Sequence, residues 1–203
     1  MTTPSEEDAS EEHSPAAASE DLSTAIPEWA PAEPLPSSEM FLATFAGQRP
    51  IAGGDILDAA FDLVACHREE RLAEAILTDQ TSSLEELRVA GQSLVSVRAD
   101  IAMLVTIIDE AVWERLLRRR RDHLTTPIAT PPGCLRDARK VVSKHTESVG
   151  DVAARMAELW EAVSYTATDL ADRPEAQLLA ELCDGYDGLA AEIEAGRRLP
   201  AGM

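Results

Sequence analysis

His145, inside the stretch SKHTESVGDVAARM, stands where a helix pattern asks for a hydrophobic side chain. An imidazole on an apolar seam is either a core group satisfied by its neighbours or a working acid, base or ligand, because its charge changes near neutral pH. The residues that could act with it lie on the preceding helix pattern: Arg98 and Asp100, with Asp109 further along. If two long helices pack antiparallel, the middle of one faces the early turns of the other, which would bring Arg98 or Asp100 to His145. In an enzyme, His145 would be the catalytic acid or base and Asp100 or Asp109 would set its tautomer. Arg98 would then orient an anionic group, with Glu147 a second ligand-binding candidate. Glu147 falls on a different helical face from His145, and its charge also suits a helix start. In a binding protein the same set would be a polar network that gives helix packing its specificity.

Other chemistries find less support. Helical bundles hold two irons through Glu-x-x-His pairs, but the residues three before His67, His123 and His145 are Val64, Arg120 and Val142. No metal site is expected, and no cofactor. Gly53 and Gly54 precede a helix pattern without the rest of a phosphate-binding loop. Cys66, Cys134 and Cys183 are odd in number and widely spaced, so they read as reduced, small buried hydrophobes and not as a disulfide framework. Arg118–Arg121 is the strongest basic cluster of the chain. It falls at a helix C-terminus, where cations are favoured, and it could also receive a small anionic ligand, an acidic partner or the protein's own acidic tail.

Helices must position these residues. SSEMFLATFAG reads as a short helix, capped by Ser37 or Ser38 and ended by Gly47, lying as a lid on the rest. In GGDILDAAFDLVACHREERLAEAIL, Asp55 can cap, and Leu57, Phe61, Val64, Leu72 and Ile76 make a stripe with His67 at its edge. The run Arg68, Glu69, Glu70, Arg71 beside it reads as a solvated face with local ion pairs. The next helix opens on a capping box, Ser82 with Glu85. Leu87, Ala90, Leu94, Val97, Ile101, Leu104, Ile108 and Ala111 then alternate in steps of three and four, a heptad seam. LTTPIATPPG is a loop. A second long seam follows: Leu135, Ala138, Val142, His145, Val149, Val152, Met156, Leu159, Val163, Thr166 and Leu170, with His145 and Thr166 its polar members. In the last helix Asp172 caps, Pro174 sits in the first turn, Leu179, Leu182, Tyr186, Leu189 and Ile193 form the stripe, and Gly196 ends it.

Composition agrees with helices. Hydrophobic residues make up 45% of the 203 but aromatics only 4%, so the apolar mass is Ala, Leu and Val. The formal charge of −19 repels phosphate backbones and anionic lipid, so neither nucleic acid nor membrane is an expected partner. No leader-like run opens the chain and no stretch approaches the roughly 20 apolar residues of a spanning helix, which points to the cytoplasm. From Met1 to about Ser38 the chain is Ser, Thr, Pro, Ala and acid, and the first basic side chain is Arg49. That segment should be a disordered acidic tail, with Leu22, Ile26 and Trp29 as a possible docking motif.

Three stretches carry a resemblance: SVRADIAMLVTIIDEAV, HTESVGDVAARMAELW and LCDGYDGLAAEIEAGRRLP, in that order. Together they resemble a family of small helical proteins of unknown function from high-GC bacteria. There an Arg and an Ile-Asp pair on one helix precede an HTE(S/T)xG helix start and a closing Y…L…G(R)RxLP. The likeness spans roughly Leu84 to Pro200, and its most specific piece is His145, Thr146, Glu147 and Gly150. Residues 133–144 are longer than the usual lead into that motif, and the tail has no counterpart. The resemblance implies a helical fold and directs attention to those residues; it supplies no chemistry.

The expectation is therefore an all-α, antiparallel helical bundle with two long helices over residues 39–203, preceded by a tail over 1–38. Its leading functional reading is a non-catalytic interaction or accessory protein that binds another protein or itself. The alternative is a small enzyme or small-molecule binder with a polar site between helices around His145.

Overall fold

Ser83 sets the longest element. Its hydroxyl accepts from the Glu86 N–H at 3.3 Å while the Glu86 carboxylate accepts from the Ser83 N–H at 2.7 Å, a reciprocal capping box that satisfies two otherwise orphaned donors. The cap lies one residue later than the Ser82–Glu85 pair that the sequence suggested. From there α3, Leu84–Thr125, runs for 42 residues, about 60 Å. The computed structural model describes residues 33–48, 53–125, 143–144, 146–165 and 173–199. Within them are five helices, α1 (Ser38–Phe45), α2 (Gly54–Thr78), α3, α4 (Val149–Tyr165) and α5 (Pro174–Glu194), so the fold is all-α. Two two-residue strands, β1 (Ser143–Lys144) and β2 (Arg198–Leu199), pair in parallel.

The start signals have mixed outcomes. Ser37 caps α1, its hydroxyl accepting from the Met40 N–H. Gly47 and Gly196 take positive φ, 83° and 63°, just past the ends of α1 and α5, a left-handed backbone that L side chains rarely adopt. Asp55 is not a cap: α2 begins at Gly54, with left-handed Gly53 before it and Asp55 inside the first turn, where its charge still suits the helix dipole. Arg173 occupies the N-cap of α5, its side chain donating to the Val163 carbonyl and not capping the helix, and Pro174 opens the helix as the sequence suggested.

The second long helix is corrected. Ser143 and Lys144 are extended and bonded to Arg198 and Leu199, so no helix runs through them, and α4 begins only at Val149. Ser148 closes the reason: its hydroxyl accepts from the Asp151 N–H at 3.0 Å and the Asp151 carboxylate accepts from the Ser148 N–H at 3.2 Å. A three-and-four repeat carries no information about where a chain enters a helix; a capping pair does.

α2 and α3 fold back on each other. Only residues 79–83 separate them, and Ser93 donates to Glu69 and Arg98 to Glu70 and Glu74 across the pair. The core gathers where α1, α4 and α5 join this pair. Phe41, Ile56, Leu63, Ile108, Val149, Met156 and Tyr186 are all essentially inaccessible there. Burying a side chain of this size contributes about 1.5–3 kcal/mol. Phe41 meets Tyr186 edge-on at 5.4 Å, and Phe45 lies 6.1 Å from Phe41 and 6.3 Å from Trp160. α1 is thus part of the core and not a lid upon it.

The α3 seam is as read: Ala90, Val97, Leu104 and Ile108 are buried, and Leu87, Leu94, Ile101 and Ala111 half-buried. The α2 stripe is not. Leu57 and Val64 are buried, but Phe61, Leu72 and Ile76 are exposed, and the inward face carries Ile56, Ala60, Leu63 and His67 instead. One helix, Leu84–Arg121, is long and apolar enough to cross a membrane by length and composition. Arg98 and Asp100 interrupt its apolar stretch.

Residues 33–38, which composition assigned to the tail, pack as part of the helical unit. Glu194 accepts from the Leu35 N–H at 2.6 Å, Asp187 takes both the Ser38 N–H and hydroxyl, and the Tyr186 hydroxyl donates to the Pro36 carbonyl at 2.8 Å. Leu35 itself is buried. The docking motif of Leu22, Ile26 and Trp29 lies outside the described residues, as do Cys134, Thr166, Leu170 and Asp172.

Candidate functional site

α3 carries three of the candidate residues, and each goes to a different partner. Arg98 projects toward α2, where its Nε donates to Glu70 at 2.8 Å and an Nη to Glu74 at 3.0 Å. Asp100 is exposed. Asp109 reaches the start of α4, where its Oδ1 accepts from the Gly150 N–H at 2.8 Å. That bond satisfies one of the donors a helix leaves unpaired at its N-terminus and places a negative charge at the positive end of the helix dipole.

The run Thr146 to Gly150 is a helix entry locked to α3. Glu147 accepts from Arg155 at 2.9 Å, Val149 is fully buried, and Gly150 presses on α3. A Cβ at Gly150 would sit 2.4 Å from the Val105 carbonyl oxygen, so only glycine permits this approach. His145 itself lies outside the described residues. The strand at Ser143–Lys144 and the helix start at Val149 remove the seam on which its inward direction was argued. Of the set Arg98, Asp100, Asp109, His145 and Glu147, the described residues bring Asp109 to the α4 entry and leave Arg98, Asp100 and Glu147 with other surroundings.

Two polar clusters that the sequence did not single out occupy the middle of α2. In the first, His67 is buried, its Nδ1 is 3.3 Å from Glu70 Oε2, and the other oxygen of Glu70 accepts from Arg98. Its Nε2 has no partner and is closed off from solvent. A general base must reach the proton it takes, so this ring, oriented by a carboxylate, has no opening through which to act. In the second, Glu161 on α4 is buried at 3% side-chain exposure, and Arg68 and Arg71 converge on it from α2. Arg71 also donates to the Glu161 carbonyl at 2.9 Å and lies 5.4 Å from the Tyr165 ring centroid. The run Arg68–Arg71 is solvated in part, with Arg68 and Glu69 exposed, but its pairs are not only local: each of its members bonds another helix, Glu69 through Ser93 and Glu70 through Arg98. Glu161 was hidden by its position between seam residues. An acid set between the seam residues Leu159 and Val163, with an unexplained arginine pair on α2, was the available signal.

The cysteines behave as small core groups. Burial raises the Cys66 thiol pKa, with the charges of Asp100, Asp62 and Glu69 adding to it, and burial raises Cys183 in the same way, aided by Asp187. Both effects suppress the reactive thiolate. Among the described residues no group of three or more His, Cys, Asp or Glu side chains could hold a metal ion.

The end of α3 receives the described start of the chain. Arg115 donates to the Pro34 carbonyl at 3.1 Å and pairs with Glu33 at 3.7 Å, while Arg119 bonds the Glu33 carbonyl and Glu194, each at 3.4 Å. Arg118 pairs with Glu114 one turn back.

What these clusters leave uncovered is a surface. On the side of α3 away from its buried seam, Val95, Met103 and Trp113 are 73%, 55% and 44% exposed. Only 17% of the most apolar stretch of this helix is buried. No family model, curated protein or solved structure matches the chain.

Proposed function

We propose that this chain is a non-catalytic interaction protein, an antiparallel helical bundle that uses the outer face of α3 to bind another protein or itself. The observation that carries the reading is the exposure of Val95, Met103, Ile107 and Trp113 along one continuous helix. Contiguous apolar surface on a chain of this charge marks a contact site, because each such side chain left in water forgoes burial energy. The polar clusters support the same reading from the other side. Glu70, Arg98, Arg68, Arg71 and Glu161 join α2 to α3 and α4, His67 bonds Glu70 within α2, and Asp109 joins α3 to α4.

A cytoplasmic location is part of this proposal. Arg98 and Asp100 sit within the apolar stretch of α3, and each would cost about 2.5–3.5 kcal/mol at a bilayer centre. The proposal also keeps the likeness to helical proteins of unknown function from high-GC bacteria, which includes Thr146, Glu147 and Gly150 of the α4 entry. Affinity capture from cells tests the reading, comparing the wild-type chain with Val95→Glu and Met103→Glu. Both positions are exposed, so the variants should fold normally and lose the complexes that the wild type forms. Variants that keep every complex of the wild type would overturn it.

A further inference from the structure

We propose that the occupant of α3's outer face is a second copy of this chain, packed antiparallel across a two-fold axis between Ala102 and Met103. The proposal rests on the interaction reading above and names its partner. Opposite the seam buried against α2, Val95, Ala99, Ala102, Thr106 and Trp113 recur at steps of three, four or seven residues, and all are exposed. This is a second three-and-four stripe on the same helix, interrupted at Asp109, which turns to Gly150 of α4, and such a stripe has a use when another helix covers it. Ala99 and Ala102 are small enough to let two helices approach closely, and Met103 and Ile107 stand beside them to close the gap.

Charge chooses the partner and the direction. Between Val95 and Thr106 the stripe itself holds no ionised side chain; Arg98 and Asp100 lie at its edges, and Arg98 is turned to Glu70 and Glu74. The ends of α3 are of opposite sign, with Glu85 and Glu86 in the first turn and Arg118 to Arg121 near the last. Residues equidistant from the axis meet, so Glu85 of one copy lies level with Arg120 of the other, and the contact is made twice. A parallel pair would stack acid on acid and arginine on arginine. The antiparallel pair also opposes the two helix dipoles. The net charge of −19 repels two copies at a distance, but physiological salt screens such repulsion beyond about 8 Å, and the centre of the matched stripe is uncharged. From Val95 to Trp113 the stripe is about 28 Å long, and at about 10 Å of helix width two copies would cover on the order of 600 Å². That is below the size of a standard specific interface, which implies a weak, reversible dimer.

Sedimentation equilibrium of the full chain, from low to hundreds of micromolar, tests this. The expected result is a monomer–dimer equilibrium in which Met103→Glu raises the dissociation constant by about tenfold or more without changing the melting temperature. Arg120→Glu should weaken the dimer, and Glu85→Arg added to it should restore it. Ala102→Cys, close to the axis, should give a disulfide-linked dimer on mild oxidation. A monomer at every concentration overturns the proposal, and so does a dimer indifferent to Met103→Glu and Arg120→Glu. If the chain is monomeric but still loses a complex with a different protein on Met103→Glu, only the second copy is wrong and the interaction reading stands. A monomer with no complex that depends on this face removes both.

Discussion

The two ends of the α2–α3 pair are held together by different forces. Where α1, α4 and α5 join it, Phe41, Ile56, Leu63, Ile108, Met156 and Tyr186 are closed off from water, and the packing is apolar and dense. Toward the turn between α2 and α3, the only buried side chains beyond Val64 on α2 are His67 and Ala73, and before Leu104 on α3 they are Ala90 and Val97. There the contacts are polar: Ser93 with Glu69, Arg98 with Glu70 and Glu74, and the Ser83–Glu86 capping box. Leu72, Ile76, Val89 and Val95 stay exposed at that end. The difference teaches that helix formation and burial are separable. Caps and exposed ion pairs suffice to define two helices, but each is worth only about 1 kcal/mol or less, so the stability of the molecule resides at the other end. The exposed face of α3 from Val95 to Trp113 crosses both ends, so the surface left for a partner is set by which side of the helix is covered and not by which end.

Phe41→Ala should break the dense end most. It removes a fully buried ring with edge-on and tilted aromatic neighbours, and the expected loss in denaturant unfolding is about 3–5 kcal/mol. Gly150→Ala comes next, at about 1–3 kcal/mol, because the added methyl meets the Val105 backbone, which cannot turn aside as a side chain could. Gly91→Ala on α3, where an added Cβ meets nothing, is the contrasting control and should not destabilise.

Alkaline pH sharpens the comparison through Tyr186. Burial first, then the nearby charges of Asp187 and Glu194, raise its phenol pKa well above the ordinary range, with Arg115 opposing. The pKa of the folded state is thus above that of the unfolded chain, near 10. The stability tied to this group is fully present below about pH 10 and is lost as pH rises toward the folded value, at up to about 1.4 kcal/mol per pH unit. Tyr186→Phe should flatten that alkaline decline in a series of denaturation curves, although it loses the bond to the Pro36 carbonyl.

His67 lies between the two ends and should respond in the opposite direction. Its Nε2 is buried without a partner, so His67→Leu should hold or raise stability by about 1 kcal/mol, read as a higher melting temperature. A large loss would mean that the imidazole makes a bond the packing does not reveal. The smallest effect belongs to Arg98→Ala. Its side chain is 57% exposed, so water screens the two bonds to α2 and their loss should leave global stability essentially unchanged. Its loss should appear as faster local hydrogen exchange near the α2–α3 turn and not as a change in global unfolding.

Much of the helical framework was legible in the residues. The alternation from Leu87 to Ala111 marked the inward face of α3, and Ser37, Gly47, Pro174 and Gly196 marked helix ends, because capping and seam signals act over three or four residues. The candidate site was legible only in pieces. Asp109 and Gly150 were both suspected, but their bond joins positions 41 apart in the chain, and no local rule pairs them. The seam drawn through His145 failed because periodicity continued on paper past Ser143–Lys144, where the backbone is instead paired with Arg198–Leu199. Arg68 and Arg71 looked solvated for the same reason: Glu161 arrives from a different helix.

The sequence by itself determined that this protein is helical, strongly acidic and poor in aromatics, and which face of α3 turns inward, since these follow from composition and from the 3.6-residue turn. Only the tertiary structure decided which apolar residues of α2 and α3 lack a cover, that Asp109 seats Gly150, and that His67 is buried with one nitrogen unmet. The physical reason is that a side chain's burial depends on what is packed against it. Periodicity specifies the direction in which a residue points along its own helix, but not which other helix, if any, lies there.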